Sequence, residues 1–283
     1  VIKMGRTQLQ DAVPMTLGQE FATFARMTME DEQRLREVLP LLCEINLGGT
    51  AIGTQLNAPA GYSKLACERL SALTGIPFVV AEDMVEATQD AGVFVMVSGV
   101  LKRVAVKLSK TSNDLRLLSS GPRAGLGEIN LPPRQAGSSI MPGKVNPVIP
   151  EVVNQIAFAV IGNDVTVTMA AEAGQLQLNA FEPIMCRALM MSITQLRNGC
   201  MTLADRCVDG ITANEDRMRQ SVEHSIGLVT ALSPTIGYEQ ATYVAKRALQ
   251  TGQSVREVVL GENIMTKDAF EAILGDVEKL TGI

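Results

Sequence analysis

Apolar positions recur with a helical period through most of this chain, in three long stretches. From Thr16 onward, Phe21, Phe24, Met27, Leu35, Val38 and Leu42 fall at spacings near three, four and seven, which predicts an amphipathic helix. Pro40 is expected to kink it, because the proline ring clashes with the preceding turn. The second stretch runs from about Ala81 to Leu118, where Val93, Val97, Val100, Val104 and Leu108 keep register over several turns. Phe94, Met96 and Leu101 beside them are also apolar, so more than one face is predicted to be buried. The third begins with Val148, Val152, Val153, Ile156 and Val160 and continues to about Asp209. A shorter helix is predicted over 62–73. Three long helices around an aliphatic interior predict an all-α fold built on a long-helix bundle.

The segments between them lack that period. Residues 1–13 read as extended or looped, and Pro14 suits the first turn of a helix. LGGTAIGTQLNAPAG, 47–61, reads as a break with a polar surface. Residues 119–150 hold many Gly and Pro, and a loop of that length inside a folded domain is usually functional or disordered. GITAN, 210–214, reads as a hinge. It divides the chain into a central helical-bundle domain, 1–209, and a small C-terminal helical domain, 210–283.

Composition narrows the chemistry. The chain has 283 residues, 46% hydrophobic and only 4% aromatic, so its core is aliphatic, with 14 Met as filler. Net charge is −5 with no long basic run, which argues against a nucleic-acid partner and against an anionic membrane surface. The longest apolar run, VFVMVSGVL at 93–101, is too short to span a bilayer, which needs about 20 residues. Five scattered cysteines and a single histidine, His224, make no zinc pattern, and reduced thiols in a cytoplasmic protein are expected. The chain opens on Val in what reads as mid-protein sequence, so an upstream portion is expected. Helices apolar on several faces predict a homo-oligomer, since one chain cannot cover them all.

The candidate chemistry lies in GSSIMPGKVNP, 137–147. Asn146 fits an N-cap, Pro147 the first helical position, and Glu151 the first turn. A helix start therefore lies behind Lys144 and Asn146, and its N–H groups, with the lysine charge, would hold a carboxylate or a phosphate. No Ser or Thr follows Lys144, so the spacing is not that of a nucleotide-binding Walker loop. Ser138 and Ser139 precede Lys144 by six and five residues. A serine needs strong donor and charge assistance to act as a base, and amides of a Gly-rich loop with a nearby lysine supply it. There is no GxSxG elbow to support a hydrolase triad.

That loop resembles the signature loop of the aspartase/fumarase superfamily. Two further blocks are similar to it in the same order: GRTQLQDAVPMTLGQEF at 5–21 and LGGTAIGTQLN at 47–57. Thr7-Gln8 stands where fumarases usually carry Thr-His, and AAEAGQLQLN at 170–179 looks like the aspartase branch. The resemblance implies reversible elimination of ammonia from L-aspartate to give fumarate, without an organic cofactor. The sequence is silent on magnesium activation, which occurs in some members. The resemblance gives Ser138 the role of general base. It gives Lys144 and Asn146 the carboxylate beside the amino group, Thr7 and Ser139 the carboxylate that gathers charge, and Gln8 a place near the amine. Glu151 matches a carboxylate that pairs with the histidine of fumarases, a relay that Gln8 cannot complete. The implied assembly is a homotetramer whose active sites are shared between subunits. A Ser/Thr/Asn-rich substrate block found upstream in relatives is absent from 1–283, so the chain by itself is expected to be weakly active or inactive. The alternatives are a fumarate hydratase of the class II type and a non-catalytic helical oligomerisation fragment.

Overall fold

Thr16 and Gln19 start the first long helix. The Thr16 hydroxyl accepts the Gln19 N–H at 2.9 Å, and the Gln19 side-chain oxygen accepts the Thr16 N–H at 2.8 Å, a reciprocal cap that satisfies two otherwise orphaned donors. In this computed structural model, which describes residues 1–135, 137, 140, 141 and 143–282, the elements run as follows. A hairpin of β1 (Ile2–Thr7) and β2 (Gln10–Thr16) leads into α1 (Leu17–Val38). Helix α2 (Tyr62–Thr74) precedes α3 (Gly92–Leu118), α4 (Val148–Glu172) and α5 (Glu182–Leu203). Six shorter helices follow: α6 (Glu215–His224), α7 (Leu228–Ile236), α8 (Tyr238–Thr251), α9 (Val255–Gly261), α10 (Lys267–Gly275) and α11 (Val277–Thr281). The class is all-α, and the strands among the described residues form only two-stranded ribbons.

The long helices share one aliphatic core. Val97, Leu101, Val104 and Ala105 of α3 pack with Ala157, Val160 and Val167 of α4 and Met185, Ala188 and Leu196 of α5. Each fully buried Val or Leu contributes about 1.5–3 kcal/mol. The buried carboxylate beside this core is paired. Asp164 of α4 accepts from Ser98 at 2.8 Å and from Lys102 at 2.6 Å, both on α3. A second core, formed by Met4 of β1 with Leu228, Leu232, Val244, Val255, Val258 and Phe270, gathers the short helices.

Several boundaries differ from the sequence expectations. Pro14 does not open a helix: it is buried in β2, opposite Met4, next to an irregularity in the pairing between Met4 and Arg6. A ribbon at such a bulge tolerates a residue without an N–H. Pro40 does not kink α1, which has already ended at Val38; the proline is the second residue of a 3₁₀ turn, Leu39–Cys43. Residues 81–91 are not α-helical, holding only a 3₁₀ turn at Glu86–Thr88, and α3 begins only at Gly92, whose N–H is accepted by the Asp90 carboxylate at 2.8 Å. The stretch expected to be one helix from Val148 to Asp209 is two. Between them the buried Asn179 donates to the carbonyls of Ala170 and Ala171, closing the end of α4. Its Oδ1 accepts the Phe181 N–H at 2.8 Å just before α5. GITAN is not a free hinge. Thr212–Ala213 pairs with Ile129–Asn130, and Asn214 donates to the Gly127 carbonyl at 2.8 Å.

Contacts divide the chain into two compact units: Val1–Ala25, Leu117–Leu131 and Ile211–Ile283 form one, and Arg26–Arg116 with Pro132–Gly210 forms the other. The chain passes between units near the expected 209/210 boundary. It also crosses at three positions inside the segment assigned to a single central domain, because β1 and β2 pack with the C-terminal helices and Ile129–Asn130 pairs with Thr212–Ala213.

Candidate active site

The signature loop folds back on itself ahead of α4. At Gly137 a Cβ would lie 2.0 Å from the Lys144 carbonyl oxygen, so only glycine permits this approach of the two ends. Gly143 sits at φ +80°, in the left-handed region, and the Lys144 N–H is accepted by Met141. Lys144 is exposed and Asn146 half-buried, two residues apart at the mouth of α4. Ser138 and Ser139, the expected base and its neighbour, lie outside the described residues.

The helix start differs from expectation. Asn146 is not the N-cap; Pro147 occupies that position, with φ −80° and ψ 54° and no side-chain cap. The Asn146 carbonyl instead accepts the Val148 N–H at 2.9 Å. The Glu151 N–H goes to the Pro147 carbonyl, and Pro150 has no N–H, which leaves at most Ile149 to offer a donor to a ligand. Attraction of an anion here therefore rests on the full charge of Lys144 and the freed amide of Asn146 more than on the helix end. Glu151 is in the first turn as expected, and its carboxylate lies 3.9 Å from Arg116.

Thr7 and Gln8 come together at the tip of the β1–β2 hairpin, both exposed. Gln8 and Leu9 form the two-residue turn at φ +52° and +63°. Such turns ordinarily take Asn or Gly, which tolerate the left-handed region. Behind the tip lies a group of charges that sequence reasoning missed. Glu128 is fully buried; its Oε1 accepts from Arg6 at 2.6 Å, and its Oε2 stands 2.8 Å from Lys3 Nζ. Lys3, 2% exposed, donates its hydrogen bond to Glu20 at 2.5 Å, so its approach to Glu128 is an ion pair without hydrogen-bond alignment. Alternation along Ile2-Lys3-Met4 would set Lys3 on the face opposite the apolar pair, so the strand pattern gave no signal for it; in the fold Lys3, Met4 and Gly5 are all buried. Thr7 and Gln8 belong to one compact unit, Lys144 and Asn146 to the other. Among the described residues no group of three or more His, Cys, Asp or Glu could hold a metal ion.

Residues 1–162, more than half of the chain, match a family model described as "Lyase". The chain belongs to this lyase family. Residues 228–282 match a second model, "Fumarase C C-terminus". The chain is 62% identical over 278 residues to the aspartate ammonia-lyase of Pseudomonas aeruginosa, covering 98% of this chain and 58% of that protein. It is 58% identical to the aspartate ammonia-lyase of Escherichia coli K12, covering 98% and 57%. Among solved structures it resembles a fumarate lyase:delta crystallin from Brucella melitensis bound to cobalt, with a TM-score of 0.94, 57% identity, and 98% and 60% of the two chains covered. A class II fumarase from Schistosoma mansoni aligns with a TM-score of 0.90 at 35% identity, covering 98% and 61%. The chain thus spans under two thirds of the length of these relatives.

Proposed function

We propose that this chain carries the signature-loop portion of an aspartate ammonia-lyase, which eliminates ammonia from L-aspartate to give fumarate. The observation that carries the reading is identity of 58–62% to aspartate ammonia-lyases over about 98% of the chain, more than to the class II fumarase at 35%. Gln8 in place of the histidine of fumarases agrees with it.

In this reading Lys144 and Asn146 hold the carboxylate beside the amino group. Ser138, ionised within the Gly-rich loop, takes the proton from the carbon next to the other carboxylate. The electron pair left behind moves into that carboxylate as a doubly charged aci-form, held by Thr7 and Ser139. The pair then returns to form the carbon–carbon double bond as the carbon–nitrogen bond breaks beside Gln8. Donors placed for charge that exists only in the transition state lower the barrier to forming it. Nothing in these steps requires an organic cofactor, and magnesium activation stays open.

The assembly we propose is a homotetramer with active sites shared between subunits. Phe158, Val165 and Met169 on α4 and Met190 on α5, all more than half exposed, support it. Five free cysteines fit a reducing, cytoplasmic setting.

Fumarate absorbance with L-aspartate, with L-malate in parallel, tests the reaction. Turnover of aspartate by the full-length protein is expected, and none, or very little, by residues 1–283 alone. Faster turnover of malate would overturn the assignment. Lys144→Ala is expected to abolish the thermal shift given by succinate; a shift that survives would remove the anchor from this scheme.

A further inference from the structure

Glu128 is the most completely buried carboxylate near the hairpin, and the proposed reaction does not use it. Its backbone is hydrogen-bonded on both sides. The Glu128 N–H is accepted by Leu118 at 2.9 Å, and its carbonyl accepts the Asn214 N–H at 2.9 Å. The residues on either side are fixed as well: Asn214 donates to the Gly127 carbonyl, and Ile129 pairs with Ala213. From this fixed base the side chain reaches β1 and meets Arg6 and Lys3, which flank the irregular pairing between Met4 and Arg6. Strand pairing alone leaves the register loosest at such an irregularity.

The turn beyond it is strained. Gln8 and Leu9 both occupy the left-handed region without the benefit of glycine, a conformation that persists only where the surroundings hold it. The other strand is tied down too, since Asp11 accepts from the Ser225 hydroxyl at 2.8 Å. We infer that Glu128 is a positioning residue. By holding Lys3 and Arg6 it keeps the strained turn in the geometry that presents Thr7 and Gln8. That these two meet the substrate rests on the reading under Proposed function; the clamp itself rests on the contacts above.

The test uses the full-length protein carrying this chain. Glu128→Gln keeps the shape and removes the charge. Amide hydrogen exchange at residues 6–11 is expected to quicken by roughly tenfold or more while the α8–α9 core stays protected. KM for L-aspartate is expected to rise roughly tenfold, with kcat changed less than about threefold, because ground-state placement of the ligand groups is what suffers. Leu9→Gly, which removes the strain at an exposed side chain, is expected to restore KM to within about threefold in the Glu128→Gln background. A role in global stability alone would not give that rescue. If Glu128→Gln does not fold, Arg6→Gln, which leaves Lys3 beside the carboxylate, takes its place with the same expectations. Unchanged exchange at the turn, unchanged KM, or failure of the glycine rescue overturns the clamp. If the unmodified protein does not turn over aspartate, the lyase reading falls, and hydrogen exchange still decides whether Glu128 holds the turn.

Discussion

Replacing Gly137 with alanine isolates the folded-back geometry of the signature loop. The added Cβ would sit 2.0 Å from the Lys144 carbonyl oxygen and 2.9 Å from its carbon. Those are backbone atoms, so no side-chain rotation relieves the clash. Moving the pair out to a tolerable separation shifts one strand of the loop by about 1 Å. If Lys144 holds the substrate as proposed, a misplacement of that size costs about 100-fold in rate, equivalent to about 2.7 kcal/mol in the barrier. The packed helices are untouched, so global stability is expected to change by no more than about 0.5 kcal/mol. The experiment compares kcat/KM for L-aspartate with thermal unfolding of the same full-length preparations. Gly143→Ala serves as contrast: that site has open space around it but φ +80°, so strain of about 1–2 kcal/mol is the cost. It is expected to lose no more than roughly 30-fold in activity. A Gly137→Ala protein that keeps a third or more of its kcat/KM would show that close apposition of Gly137 and Lys144 is not needed for turnover.

Two other predictions concern titrating groups. Burial pushes the Cys207 thiol up to about 11, with Arg134 pulling weakly the other way. At pH 8 iodoacetamide is therefore expected to alkylate the exposed Cys186 while leaving Cys207 unmodified, as read by mass spectrometry; equal labelling would contradict the burial. The Ser254 N–H, and then its hydroxyl, hold the Glu257 carboxyl below its ordinary value of 4.5 through a reciprocal cap at the start of α9. A depressed folded-state value means that the cap's contribution is complete above the unfolded value and is lost as pH falls through the folded one. Urea denaturation is expected to show that acid-side loss of stability, and Glu257→Gln to flatten part of it.

The three helical stretches were readable because their faces differ. Val97, Val104 and Leu101 repeat at helical spacing and are buried, and the Thr16–Gln19 cap is a four-residue local signal. The hairpin was not readable for equally local reasons. Pro14 mimics a helix start, and Gln8-Leu9 lacks the Asn-Gly chemistry that announces a two-residue turn. The break between α4 and α5 depends on the buried side chain of Asn179, whose polar identity gives no hint of which carbonyls it will meet. Interleaving of the compact units could not be read either, because it follows from pairings such as Arg6 with Glu128, far apart in sequence. At the candidate site, the residue types and spacing of GSSIMPGKVNP suggest anion chemistry. The loss of free N–H groups at the start of α4 was not, since it depends on whether Asn146 or Pro147 takes the cap position.

Helix α4 shows why composition alone misleads about environment. It is long and apolar enough to cross a membrane by length and composition. Yet its polar residues Asn154 and Asp164 are buried, while Phe158, Val165 and Met169 lie outward. In a lipid-facing helix Asp164 would need a partner inside the bilayer; here Lys102 and Ser98 of α3 supply one. Asn154 is likewise engaged, donating to Ser109 and Asn113. Paired polar groups at fixed depths set the register of α3 against α4, because sliding either helix by one turn would strand a buried charge. The apolar outer stripe then has no partner within the described chain, and water is a poor one. The same helix that opens behind Lys144 thus carries a surface suited to further packing. Burying that surface against other copies would fix α4 on both sides and with it the loop at its start, coupling assembly to the geometry of the site.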